Sequence, residues 1–238
     1  MTIHQESWIC GALADYLNQE EQALYDNVVS DIFGFNALQF GMLDVDFLKN
    51  ARIPNRIRAD VHSGDLNCES TFLPFPANSI DLYLLPHTLD FSSLPQQTLR
   101  EAERVLVPEG YLVLTGISPM SLWGLRRAFH KKSKINPGPN VYRTQSFDLI
   151  RIRDWLGLLG FEIVNSYRAC YRLPIQNQRW SKRLRLDTLG AKFIPLLGGV
   201  YCVVAKKRVP GMRVIKPSWN TIKIHSSLVT TSSNKDNL

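Results

Sequence analysis

The segment from Ile80 to Thr115 places the strongest constraint on how this chain folds. Ile80 to Leu85 (IDLYLL) is apolar at every position except Asp81. A strand without a polar face reads as buried on both sides, as in parallel sheets covered above and below. It runs straight into Pro86 and His87. Residues 95–107 (PQQTLREAERVLV) then read as a helix, with Pro95 near its start and Leu99, Ala102, Val105 and Leu106 on one face. Pro108-Glu109-Gly110 closes that helix, and Tyr111 to Thr115 forms the next strand. Strand, helix and strand joined by short connections imply an α/β fold, a three-layer sandwich around a mostly parallel sheet. Ligands of such sheets bind beyond the carboxyl ends of the strands. Leu85, Pro86 and His87 therefore stand where a pocket is expected.

The remaining elements fit the same plan. Residues 6–30 read as an N-terminal helix, with Trp8, Ile9, Leu13, Leu17, Leu24 and Val28 at helical spacing. Ala37 to Phe40 is a short strand ending at Gly41, and residues 42–70 are poorly patterned around Pro54 and a Gly64-Asp65 turn signal. Phe147 to Leu159 reads as a helix closed by Gly160, a residue suited to a left-handed cap. Phe161 to Val164 begins a strand that can continue toward Tyr171, and Gly199 to Lys206 supplies the last one. The expected organisation is a helix over 1–30 that can act as a lid, one domain over 31–209, and a mobile polar tail over 210–238.

Charge divides the chain in two. Residues 1–115 hold 6 Lys and Arg against 16 Asp and Glu, a net of −10, and residues 116–238 hold 22 against 5, a net of +17. The second half contains two basic clusters with aromatic residues inside them, SLWGLRRAFHKK (121–132) and RWSKRLR (179–185). Both read as solvated faces or as a surface for an anionic partner. Neither has the regular aromatic spacing of a single-strand nucleic-acid platform, so no nucleic-acid module supports that partner. Cys10, Cys68, Cys170 and Cys202 are scattered without a C-x-x-C pair, which predicts no metal site and fits a reducing, cytoplasmic setting. The longest weakly polar run, Phe193 to Ala205, is interrupted by a proline and two glycines and falls short of the ~20 residues of a membrane span.

Three blocks then occur in order: LPF-P-x-N-S-I-D-L (73–82), LREAERVLVPEGYLVLTG (99–116) and WLGLLGFEIV (155–164). Together they resemble the class I S-adenosylmethionine-dependent methyltransferases of the type-11 family, and SPMSLWGLRR (118–127) resembles a small bacterial branch of it. The resemblance spans roughly residues 30–205. It implies a seven-stranded Rossmann-like sheet, S-adenosylmethionine as cofactor and methyl transfer as the reaction.

The resemblance also implies roles for particular residues. The family's glycine-rich loop after the first strand corresponds here to LQFGMLD, with Gly41 alone; a glycine lets backbone and cofactor approach closely. The acid that ends the second strand and holds the ribose is Asp44 or Asp60. Glu69, four positions before the LPF leucine, matches the acid that accepts from the adenine amino group. Leu85 and Pro86 line the cofactor, and His87 is the candidate catalytic base, an imidazole near neutral pKa being suited to that work. Only about thirty residues separate Gly41 from Leu73, too few for helix, strand, helix and strand, so the cofactor half has been shortened. A small-molecule or other anionic acceptor is expected. The competing reading is a fold whose cofactor site has decayed, leaving a binding or scaffold protein that works through its basic face.

Overall fold

The computed structural model describes residues 12–126, 145–171 and 198–209. Trp8, Phe129, the second half of the first basic cluster, the whole of the second and the 210–238 tail lie outside the described residues. In chain order the elements are α1 (Ala12–Val29), β1 (Asn36–Phe40), β2 (Asn55–Asp60), β3 (Leu66–Asn67), β4 (Ile80–Pro86), α2 (Thr88–Phe91), α3 (Pro95–Val105), β5 (Leu106–Ile117), α4 (Leu149–Leu158), β6 (Phe161–Ala169) and β7 (Val200–Lys207). They build one seven-stranded sheet of order β3-β2-β1-β4-β5-β7-β6. β1 to β5 pair in parallel, and β7 runs antiparallel to both β5 and β6.

Alternation along the strands divides the core between two faces. Leu82 and Leu84 of β4, Val113 of β5 and Cys202 and Val204 of β7 meet Leu17, Tyr25 and Val29 of α1. The residues between them, Tyr83, Leu85, Leu112, Leu114 and Val203, meet Leu99, Ala102 and Val105 of α3 and Ile152 and Leu156 of α4. The buried run read from β4 is thus buried on both faces. One difference follows from Pro108. The helix stops at Val105 and pairing begins at once, Ile80 with Leu106, after which the register jumps to Leu82 with Tyr111. Residues 107–110 bulge out of β5, with Glu109 at a φ of 65°.

The largest departure from a regular doubly covered sheet lies between β1 and β3. A parallel connection ordinarily returns through a helix, whose backbone groups satisfy one another. Residues 41–54 and 61–65 make these two returns without one. The loop carbonyls must then be satisfied from outside, and the sheet beneath supplies the donors. Gln39 of β1, fully buried, gives its Nε2 to the carbonyls of Gly41, Met42 and Val45, while its Oε1 accepts from Phe47 N at 3.0 Å. Arg56, opposite Ala37 on β2, donates to the carbonyls of Lys49, Ala51 and Ile53, and Arg58, opposite Gln39, reaches Leu43 O. Phe47 and Leu48 fill the apolar space, Phe47 tilted against Tyr25 of α1 with ring centroids 4.3 Å apart. Gln39→Leu strands several buried groups together. It should lower unfolding stability by about 3 kcal/mol in urea titration, and a loss under 1 kcal/mol would show that the loop is held by its apolar residues alone.

Candidate active site

The parallel register of β1, β2 and β4 brings three strand ends side by side. β1 ends at Phe40, and the next residue, Gly41, turns out of the sheet at a φ of 81°, where a side chain strains the backbone. Its N–H still reaches the neighbouring strand, donating to Ala59 O at 2.8 Å. A Cβ at Gly41 would sit 3.5 Å from Thr88 Oγ1 and 3.9 Å from Pro86 O, in ordinary contact with both, so it is the positive φ rather than crowding that favours glycine there. Thr88 ties the same two ends by donating to Phe40 O at 2.8 Å.

Of the two acids expected to end the second strand, Asp60 is the last residue of β2, 6% exposed, with Oδ1 accepting from Val61 N. Asp44 lies exposed in the loop after Gly41 and ends no strand. The carbonyl of Asp60 accepts from Cys68 N at 3.1 Å, which places Glu69 two residues beyond the shared end of β2 and β3. Glu69 is exposed and accepts from Thr71 Oγ1. Leu85 and Pro86 are buried in β4, paired with Leu114 and Thr115.

His87 follows β4 in the left-handed conformation, φ 50°, and its side chain is completely buried. Nε2 bonds Oε1 of Glu21 from α1, and Nδ1 lies 3.3 Å from Oδ2 of Asp90. That same Asp90 oxygen accepts from Ile117 N at 3.1 Å, anchoring the cluster to the end of β5. Burial alone lowers the imidazole pKa, but the charge of Glu21 and the hydrogen bonds the ring donates to Asp90 and Glu21 outweigh it and raise the value to about 9. In the protonated form that this raised value favours, Nε2 donates to Glu21 and Nδ1 to Asp90.

Sequence reasoning missed Glu21, Asp90 and Gln39. Glu21 shares the inward face of α1 with Leu17 and Tyr25 at a spacing of four, and a charge on that stripe was its signal. Asp90 stands one helical turn beyond His87. Tyr16 of α1 is stacked on the buried Trp123, with ring centroids 6.4 Å apart. Gly199 lets Trp123 lie there, since a Cβ on it would come within 2.5 Å of the indole.

The strand order with its reversed final strand, and the acid and glycine at adjoining strand ends, define a class I methyltransferase. The type-11 methyltransferase domain model matches residues 41–114. The uncharacterized protein YafS of Escherichia coli is 32% identical over 205 residues, covering 84% of this chain and 80% of that protein. Among solved structures, a Thermotoga maritima S-adenosylmethionine-dependent methyltransferase described as a possible histamine N-methyltransferase aligns with a TM-score of 0.58 at 15% identity, over 81% of this chain and 92% of that one. A methyltransferase of Archaeoglobus fulgidus aligns with a TM-score of 0.57 at 15% identity, over 81% and 94%. The chain belongs to the type-11 methyltransferase family, whose cofactor is S-adenosylmethionine.

The raised His87 pKa has a consequence for stability. A group whose folded pKa lies above its unfolded value near 6.5 contributes fully below that value, and the contribution is lost as pH rises through the folded value of about 9. Unfolding free energy should therefore fall between pH 6.5 and 9.5 by on the order of 3 kcal/mol. His87→Gln should be less stable at pH 6.5 and show little of that slope; an equal slope in the variant would assign it to other groups.

Proposed function

We propose that the chain transfers a methyl group from S-adenosylmethionine, held across the ends of β1, β2 and β4, to an acceptor entering beside α1. The observation that carries this reading is the pairing of Asp60 and Gly41 at adjoining strand ends, joined through the Gly41 N to Ala59 O bond. The residues present fit the cofactor: an acid at the end of β2, a positive-φ glycine directly after β1, and a second acid two residues past β3. Asp60 would accept from the ribose hydroxyls, Glu69 from the adenine amino group, and the Gly41 backbone would lie against the methionyl end. When bound, S-adenosylmethionine supplies a methyl group already activated on a sulfonium, so the protein's work is alignment and exclusion of water. His87, cationic and tied on both sides, holds α1 over the strand ends and leaves proton removal to the acceptor's own chemistry or to solvent.

The excess of 17 positive charges in residues 116–238 supports an anionic acceptor, small molecule or larger, drawn to that half by long-range attraction. Replacing Asp60 by Ala removes charge-assisted hydrogen bonds to the ribose. It should weaken S-adenosylmethionine binding about 10- to 100-fold, while the variant still unfolds cooperatively. The check is thermal shift against ligand concentration, in which the wild-type midpoint rises steadily. A wild-type midpoint unmoved by millimolar ligand would favour the decayed, scaffold reading. A normal response from Asp60→Ala would move the ribose to another residue.

A further inference from the structure

Residues 118–126 leave the carboxyl end of β5 as a tight turn with an inner and an outer side. Ser118 N donates to Gly199 O at 3.0 Å, and Ser121 Oγ donates to Ser118 O at 2.6 Å while accepting from Gly124 N. Residues 122–126 are helical. A Cβ on Gly124 would collide with the backbone of Ser118 and Pro119, so the turn has no slack. Ser118, Ser121 and Trp123 fill the inner side, with Trp123 stacked on Tyr16 of α1. Met120, Leu122 and Leu125 are left outside, 72%, 40% and 51% exposed. Leu122 and Leu125, three residues apart on the helix, share a face. Single exposed apolar residues are ordinary, whereas several together on one fixed turn mark a contact surface.

Charge indicates what this surface meets. Residues 116–147 hold six Lys and Arg and no Asp or Glu, within a half of the chain whose net charge is +17. An anionic partner is favoured, and the exposed side chains narrow its chemistry. Nucleic acid is held by basic and polar groups on its phosphates and by aromatic stacking on its bases, for which Met and Leu offer nothing. An anionic bilayer uses both features: its headgroups attract the basic charge and its acyl boundary takes up aliphatic side chains. We infer that Met120, Leu122 and Leu125 form a docking surface for an anionic phospholipid membrane, entered at headgroup depth. β5 runs parallel to β4 and β1, so this surface lies at the same end of the sheet as Gly41 and Asp60. Docking therefore brings that end of the sheet close to the lipid. The surface stands apart from the methyl-donor reading and is tested without it.

The experiment is flotation of the full chain with vesicles of phosphatidylcholine, alone or mixed with phosphatidylglycerol. Wild-type protein should bind the mixed vesicles about tenfold more strongly than the neutral ones, and less strongly as salt is raised. Met120→Ser combined with Leu125→Ser alters the two most exposed side chains of the surface. That double variant should unfold at the wild-type midpoint and bind the mixed vesicles about tenfold more weakly, through lost apolar burial. No binding to the mixed vesicles, equal binding with and without phosphatidylglycerol, or undiminished binding by the double variant would each overturn the inference. The first two need no variant, so they hold if the double variant fails to fold. Single-stranded DNA is titrated in parallel. A loss there equal to the loss on vesicles would also overturn the inference and give the surface to nucleic acid.

Discussion

The structure turns on a parallel connection made without a helix. Once the returns from β1 to β2 and from β2 to β3 are reduced to loops, each loop carbonyl near the sheet needs a donor, and polar side chains must rise from the strands to provide it. Gln39, Arg56 and Arg58 do so from one face. That face therefore cannot be an apolar bed for a helix, and α1 packs on its remaining part, over β4, β5 and β7. The same economy leaves Gly41 to make the turn out of β1 alone, where related enzymes use several glycines.

With so little structure on the β1–β3 side, the alignment of the strand ends falls to hydrogen bonds between them. Thr88 joins β4 to β1, Gly41 joins β1 to β2, Asp60 joins β2 to the segment carrying Glu69, and Asp90 joins His87 to the end of β5. The Glu21–His87–Asp90 cluster sits at the centre of this chain of contacts and fixes α1 against the sheet. Removing one partner of this buried cluster would leave an uncompensated buried charge and be strongly destabilising.

Much of this was legible in the sequence and some was not, for physical reasons. The 80–115 unit could be read because its signal is local: a run buried on both faces, then period 3.6, then a second run. Gly160 as a cap and Asp60 as a candidate were read on similarly local grounds. β2 was hidden, although Arg56-Ile57-Arg58-Ala59 alternates, because its arginines turn to the loop carbonyls and the strand is short. Gln39 looked like an unremarkable member of a short apolar strand; its importance comes from a loop whose missing helix only the fold reveals. His87 was placed correctly at a strand end, but its two carboxylate partners could not be read, since they lie three residues ahead and sixty-six behind. Sequence distance hid the pair that sets its charge.

The central claim is that a methyltransferase site survives at the ends of β1, β2 and β4 although the crossover helices are gone. Hydrogen exchange of the full chain, with and without saturating S-adenosylmethionine, tests it most directly. Slower exchange confined to residues 38–42, 57–62 and 84–90, with the α3 and α4 face unchanged, is the predicted result. Exchange that is unaltered in those three segments, or slowed only elsewhere, would contradict it.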